Sequence, residues 1–167
     1  MMKTEKFRKK TIGKKNFGPK IDATDPCYDK DIYCRVDDLE IVPGEYSCVT
    51  WMYKDTFMIN GKEYTDKRVG IIGIYLNGII PTQKIMEEVG NIGVDAGVAG
   101  FFENKPDYTD EQWNKLCNMM SSDCKKSAWI IKEGFFSYSG YGDGGYPLYA
   151  HKDKKSGKYT ALEIRFM

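Results

Sequence analysis

From Glu45 to Lys54 apolar residues occupy both sets of alternate positions. Tyr46, Cys48, Thr50 and Met52 fall on one face, with Ser47, Val49, Trp51 and Tyr53 on the other. A strand with two largely apolar faces is a central strand. Thr56–Ile59 and Lys62–Thr65 flank Asn60-Gly61, the pair that best supplies the two positive-φ residues of a tight hairpin. Val69–Leu76 is β-branched and apolar, closed by Asn77-Gly78. Asp31–Val36, Leu39–Val42, Ala128–Ser137, Tyr146–His151 and Lys158–Phe166 complete the expected strands. In the last, Leu162, Ile164 and Phe166 oppose Glu163 and Arg165. Residues 82–89 fit a helical face or a strand, and strand is preferred.

One segment has helical period. Trp113, Leu116, Cys117 and Met120 recur at i, i+3, i+4 and i+7. Thr109 with Gln112 makes a capping box, and Asp110 and Glu111 suit the positive end of the helix dipole. The pattern predicts a mostly-β domain over residues 21–167, a β-sandwich or rolled antiparallel sheet, with one amphipathic helix near 110–121.

Charge changes the picture at one end. Residues 1–20 hold eight of the 25 basic residues and Glu5 alone of the 24 acidic ones, a net of +7, leaving −6 for the remainder. The stretch reads as a flexible basic arm. An acidic body argues against a nucleic-acid groove, except through this arm. No apolar core follows the N-terminal lysines, and no run approaches the roughly 20 residues of a membrane span. Five cysteines without a CxxC pair fit reduced thiols in a cytoplasmic protein.

Candidate chemistry concentrates in loops. Ser139–Pro147 packs four glycines, Asp143, Tyr141 and Tyr146 into nine residues, a density that implies positive φ or close backbone approach. Asp25, in Asp-Pro-Cys-Tyr28, and Asp95, in Val-Asp-Ala-Gly, occupy comparable loops. Each aspartate either bonds its own turn amides or, if the loops converge, joins Glu103 in a hard-cation site. Cys27 and His151, the single histidine, have the residue types of a thiol nucleophile set without a local signature for one. Tyr28, Tyr141 and Tyr146 are candidate contact residues beside the three aspartates.

Several segments in order resemble domain-of-unknown-function family 4241 of bacterial and phage proteins. They are Asp25–Tyr28, Val42–Val49, Arg68-Val69, Val94–Gly97, Gly100–Phe102 and Gly140–Tyr149, spanning about residues 22–167. The resemblance implies shared fold and motif positions and a bacterial or mobile-element setting, without a reaction. The expectation is a non-catalytic binding protein in defence, counter-defence or immunity, engaging another protein or a small ligand and needing no cofactor. The alternatives are a hydrolase using a divalent metal on the loop aspartates or the Cys27/His151 pair, and a binder of nucleotide-like ligands.

Overall fold

The computed structural model describes residues 6–167. Two antiparallel sheets face one another. The larger runs in the order β1 (Phe7–Phe17), β4 (Gly44–Ile59), β5 (Lys62–Leu76), β11 (Tyr159–Arg165), β10 (Gly144–Lys152) and β6 (Glu87–Val94). The smaller runs β3 (Val36–Glu40), β2 (Lys20–Thr24), β7 (Val98–Phe102), β9 (Gly134–Tyr138) and β8 (Ala128–Ile131). Tyr46, Ile72, Leu148 and Leu162 of the larger sheet meet Ile21, Phe101 and Phe135 of the smaller in one buried core. The fold is mostly β and sandwich-like, as the alternation predicts.

The helix α1 (Asp110–Ser122) carries the expected box. Thr109 Oγ1 accepts from Gln112 N at 3.2 Å, and Gln112 Oε1 accepts from Thr109 N at 2.9 Å. Its Leu116 and Met120 cover Val98, Phe102, Trp129 and Phe136 on the outer face of the smaller sheet. The Asn60-Gly61 turn has φ of 51° and 76°, so both residues take the left-handed conformation their types favour.

Four expectations need correction. Residues 7–17, assigned to a flexible basic arm, form β1, paired with β4 from Phe7↔Tyr53 to Phe17↔Gly44. Counting charge missed the apolar anchors: Phe17 is buried, Ile12 packs on the core, and the Phe7 ring lies 5.4 Å from that of Tyr53. Residues 1–5 lie outside the described residues. Asp31–Val36 is not a strand, because Arg35 gathers that segment into a compact loop. Its Nη1 donates to the Tyr28 carbonyl at 2.7 Å and Nη2 pairs with Asp37 at 2.9 Å and Asp22 at 3.3 Å. Ala128–Ser137 is two strands, folded back at Lys132-Glu133 into β8 and β9. In 82–89 the preferred strand holds only for 87–89, where β6 begins, and a 3-10 turn at Gln83–Ile85 precedes it.

Arg35 is almost fully buried beside two carboxylates, and burial, with Asp37 close by, raises the Asp22 carboxyl above its ordinary value. Removing the guanidinium leaves these charges uncompensated. Arg35→Met is expected to cost about 3–5 kcal/mol in chemical denaturation. A loss below about 1 kcal/mol would mean that the loop is not held by this cluster.

Candidate functional site

The three aspartate loops do meet at one end of the sandwich. Asp25 follows β2, Asp95 lies between β6 and β7, and Asp143 precedes β10. Backbone pairing sets Thr24 opposite Gly100 and Val94 opposite Gly144. The carboxylates do not meet as ligands. Asp25 is wholly buried and spends its oxygens on amides: Oδ1 accepts from Cys27 N at 2.9 Å, and Oδ2 from Asp95 N at 2.8 Å and Ala96 N at 2.7 Å. Asp95 and Asp143 are exposed. Glu103 stands past the opposite end of β7, where Oε2 accepts from Gly18 N at 3.3 Å. Among the described residues, no three His, Cys, Asp or Glu side chains stand where they could share a metal ion. The shared cation site is therefore not formed, because Asp25 is already satisfied as a joint between loops.

The Cys27/His151 pair is separated. Cys27 sits beside Asp25, while His151 lies opposite Ala161, seven residues along β10 from Gly144, roughly 23 Å at strand rise. Burial, with the Asp25 carboxylate next to it, pushes the Cys27 thiol far above its ordinary value. That environment suppresses the thiolate a nucleophile needs. Burial and the neighbouring Cys34 raise the Tyr28 hydroxyl too. Tyr28 lines a cleft of about 400 Å³ with Cys34, Asn91 and Gly144.

The glycine-dense loop is a self-braced wall. Gly140 and Gly142 take φ of 67° and 111°, conformations that side chains rarely adopt. The Tyr146 hydroxyl donates to the Gly142 carbonyl at 2.6 Å, and Ser139 Oγ donates to the same oxygen at 2.8 Å. Arg68 fastens the loop to β5, with its guanidinium 4.4 Å from the Tyr141 ring and Nη1 donating to the Gly140 carbonyl at 3.3 Å. Tyr141 and Tyr146, both expected as contact residues, line a cavity of about 940 Å³ on the outer face of the larger sheet. Asp25, Asp95 and Asp143 do not line it.

The residues that shape this face went unrecognised in the sequence. Tyr53, Tyr149, Arg165 and Lys6 line the cavity with the two loop tyrosines. Behind them runs a buried chain of bonds. Trp51 Nε1 donates to the Tyr75 hydroxyl at 2.9 Å, and that hydroxyl donates to Glu163 Oε2 at 2.6 Å. Arg165 Nε and Nη2 donate to Glu163 Oε1 at 3.1 and 2.9 Å. Burial, then the Glu163 charge, holds the Tyr75 hydroxyl well above its ordinary value, so it stays a donor. The Arg165 guanidinium stacks 3.6 Å from the Tyr149 ring centre. Its charge is balanced by Glu163, and its Nη1 makes no hydrogen bond among the described residues. Lys6 is likewise paired, with Asp55 at 2.8 Å. The face thus offers flat rings, hydroxyls and a fixed guanidinium, with little net charge. Its signal in the sequence is the second apolar face of Glu45–Lys54 together with Glu163 and Arg165 of β11, which lies on the far side of β5.

No family model matches the chain, and neither a curated protein nor a solved structure does. No helix among the described residues is long and apolar enough to cross a membrane.

Three measurements check these assignments. Asp25→Ala strands three amides in the joint and is expected to lower stability by about 3 kcal/mol. Calcium or magnesium should leave the melting temperature of the unaltered protein in place; a clear rise would restore the cation site. A raised thiol pKa keeps Cys27 neutral until strongly alkaline pH. Iodoacetamide at about pH 8 should therefore modify exposed Cys124 well before Cys27, read by peptide mass mapping. Equal rates would contradict the suppressed thiolate.

Proposed function

We propose that this is a non-catalytic binding protein that engages a protein partner through the outer face of its larger sheet and the β4–β5 hairpin. One observation carries this reading: three of the hairpin's four large exposed apolar side chains, Phe57, Ile59 and Tyr64, continue the same face as the tyrosine-lined cavity. β1 ends opposite Tyr53 and β11 opposite Ile71, so residues 54–67 project as a two-stranded ribbon. Tyr53, Asp55, Phe57 and Ile59 alternate onto one face, and Tyr64, paired with Phe57, joins them. The Phe57 and Tyr64 rings stack at 6.0 Å while remaining 43% and 44% exposed. Exposed aromatic and apolar residues grouped beside a concave surface mark an interaction site.

The motif resemblance supports a bacterial or phage setting, in which defence, counter-defence or immunity is the expected role. Five unpaired cysteines accord with a cytoplasmic one. A second reading, a small ring-bearing ligand of nucleotide-like size, draws on the cavity volume, which falls among ligand pockets of about 300–1,000 Å³.

The test uses two variants, Phe57→Ser/Ile59→Ser on the ribbon and Tyr149→Ala in the cavity, each first shown to melt like the parent. Quantitative mass spectrometry of captures from native lysate should show one protein enriched by the parent and reduced at least about tenfold by both variants. A low-mass compound that copurifies with the parent, survives the ribbon variant and disappears with Tyr149→Ala would favour the small ligand instead. Capture unchanged by either variant would sink both readings.

A further inference from the structure

A second surface lies along the edge of the sandwich, where among the described residues both sheets end in an edge strand. β1 ends the larger sheet and β8 ends the smaller, and the two lie side by side. A Cβ added to Gly13 would meet Ile130 Cδ1 at 2.8 Å, and Lys15 Nζ donates to the Lys132 carbonyl at 2.9 Å. Between them, closed at one end by the C-terminal turn of α1, runs a groove of about 560 Å³. Ile12, Ile130, Met119 and Trp129 give it an apolar floor, and Lys10 and Lys126 stand on its walls.

The rim is basic. Arg8, Lys9 and Lys10 form no ion pair among the described residues. Lys14 has only exposed Glu45 at 3.7 Å, and Lys126 only Asp123 at 3.7 Å, the one carboxylate lining the groove. One donor in the lining is also unused. Trp129 is 5% exposed, and its Nε1 is buried without a hydrogen-bond partner. A buried donor left unmade costs about 1–3 kcal/mol, and an acceptor oxygen brought by a partner would recover it.

We propose that the β1 edge is a docking strand for an extended acidic segment of another protein. The free N–H and C=O groups of an edge strand match the alternating donors and acceptors of a peptide, which adds as a further strand. Alternate side chains of that peptide would face the apolar groove, and the others would carry carboxylates to the lysines. A second copy of this chain is the wrong occupant. Antiparallel pairing of β1 with itself about Ile12 brings Lys9 against Lys15 and Lys10 against Lys14, and like charges directly opposite are destabilising. A nucleic acid would answer the charge but not the backbone edge, and Trp129 is too buried to stack a base.

This surface does not depend on the cavity reading, and either can fail alone. The probe is a labelled peptide of about seven residues alternating glutamate and valine. Its partners in the test are the same peptide N-methylated at alternate amides and a single-stranded oligodeoxynucleotide of equal charge. Binding is read by fluorescence anisotropy in about 50 mM and 200 mM salt. The acidic peptide should bind, weaken with salt, slow amide exchange along Arg8–Phe17 and move the Trp129 indole N–H resonance. N-methylation, or Lys9→Glu/Lys10→Glu in the protein, should weaken it at least about tenfold. Three results each overturn the proposal: equal binding of the N-methylated peptide, tighter binding of the oligonucleotide, or a concentration-dependent dimer in sedimentation that protects the same amides.

Discussion

The arrangement of both sheets at one end depends on the carboxylate of Asp25. Its two oxygens take three amide protons, one from its own turn and two from the β6–β7 crossover. That crossover carries the chain from the larger sheet to the smaller, so the aspartate ties β2 to the place where the sheets exchange strands. A buried carboxylate with three amide donors is compensated without a counter-ion, which is why no cation is needed to hold the loops. The glycine-dense loop meets the same crossover, where Ser139 N donates to the Gly97 carbonyl at 3.1 Å. Fixing the crossover therefore also fixes the wall that bears Tyr141 and Tyr146.

The outer face of the larger sheet faces a different constraint. A sheet in a two-layer sandwich buries one face and ordinarily leaves the other to water. Here Val49, Tyr75, Met86 and Ala161 are buried on the outer side, beneath the segment that includes Ile80. Glu163 is buried with them, and its carboxylate is stable there because Tyr75 and Arg165 both donate to it. Arg165 in turn is held flat on Tyr149, so the guanidinium reaches the cavity already oriented. A preordered face of rings and one fixed fork binds with less loss of side-chain freedom than a mobile one.

What could be read from the sequence was whatever local chemistry decides. Asn60-Gly61 makes its turn because those two residue types tolerate positive φ, and Thr109 with Gln112 starts a helix through bonds three residues apart. The alternation of Glu45–Lys54 placed a central strand because burial on two faces leaves a direct trace. β1 was missed because its charges describe the solvent side of an edge strand, whereas its place is set by Phe7, Ile12 and Phe17 meeting partners from Gly44 to Tyr53, far along the chain. Asp31–Val36 alternates acceptably for a strand, yet the Arg35 bonds to Asp22, Asp37 and Tyr28 outweigh that pattern. The same division holds for the site. The loop aspartates stood out through their glycines and proved to be joint or surface, while Trp51, Tyr75, Glu163 and Arg165 become neighbours only when β4, β5 and β11 are laid side by side. Tyr141 and Tyr146 stood out with their glycine-dense loop, and they line the cavity beside it.

The lysines of β1 then acquire a meaning that composition alone did not supply. As a disordered arm they would attract any polyanion, with no preference for its shape. Set on an edge strand beside a groove, they are spaced by the strand and backed by unpaired amides, so charge and geometry select together. The charges repel another β1, which keeps two copies from joining edge to edge, and the same charges favour an acidic strand. Protection against self-association and recognition of a partner are thus one arrangement read from two sides. The residual net charge of the body, which is negative, lies on other elements and leaves this edge basic.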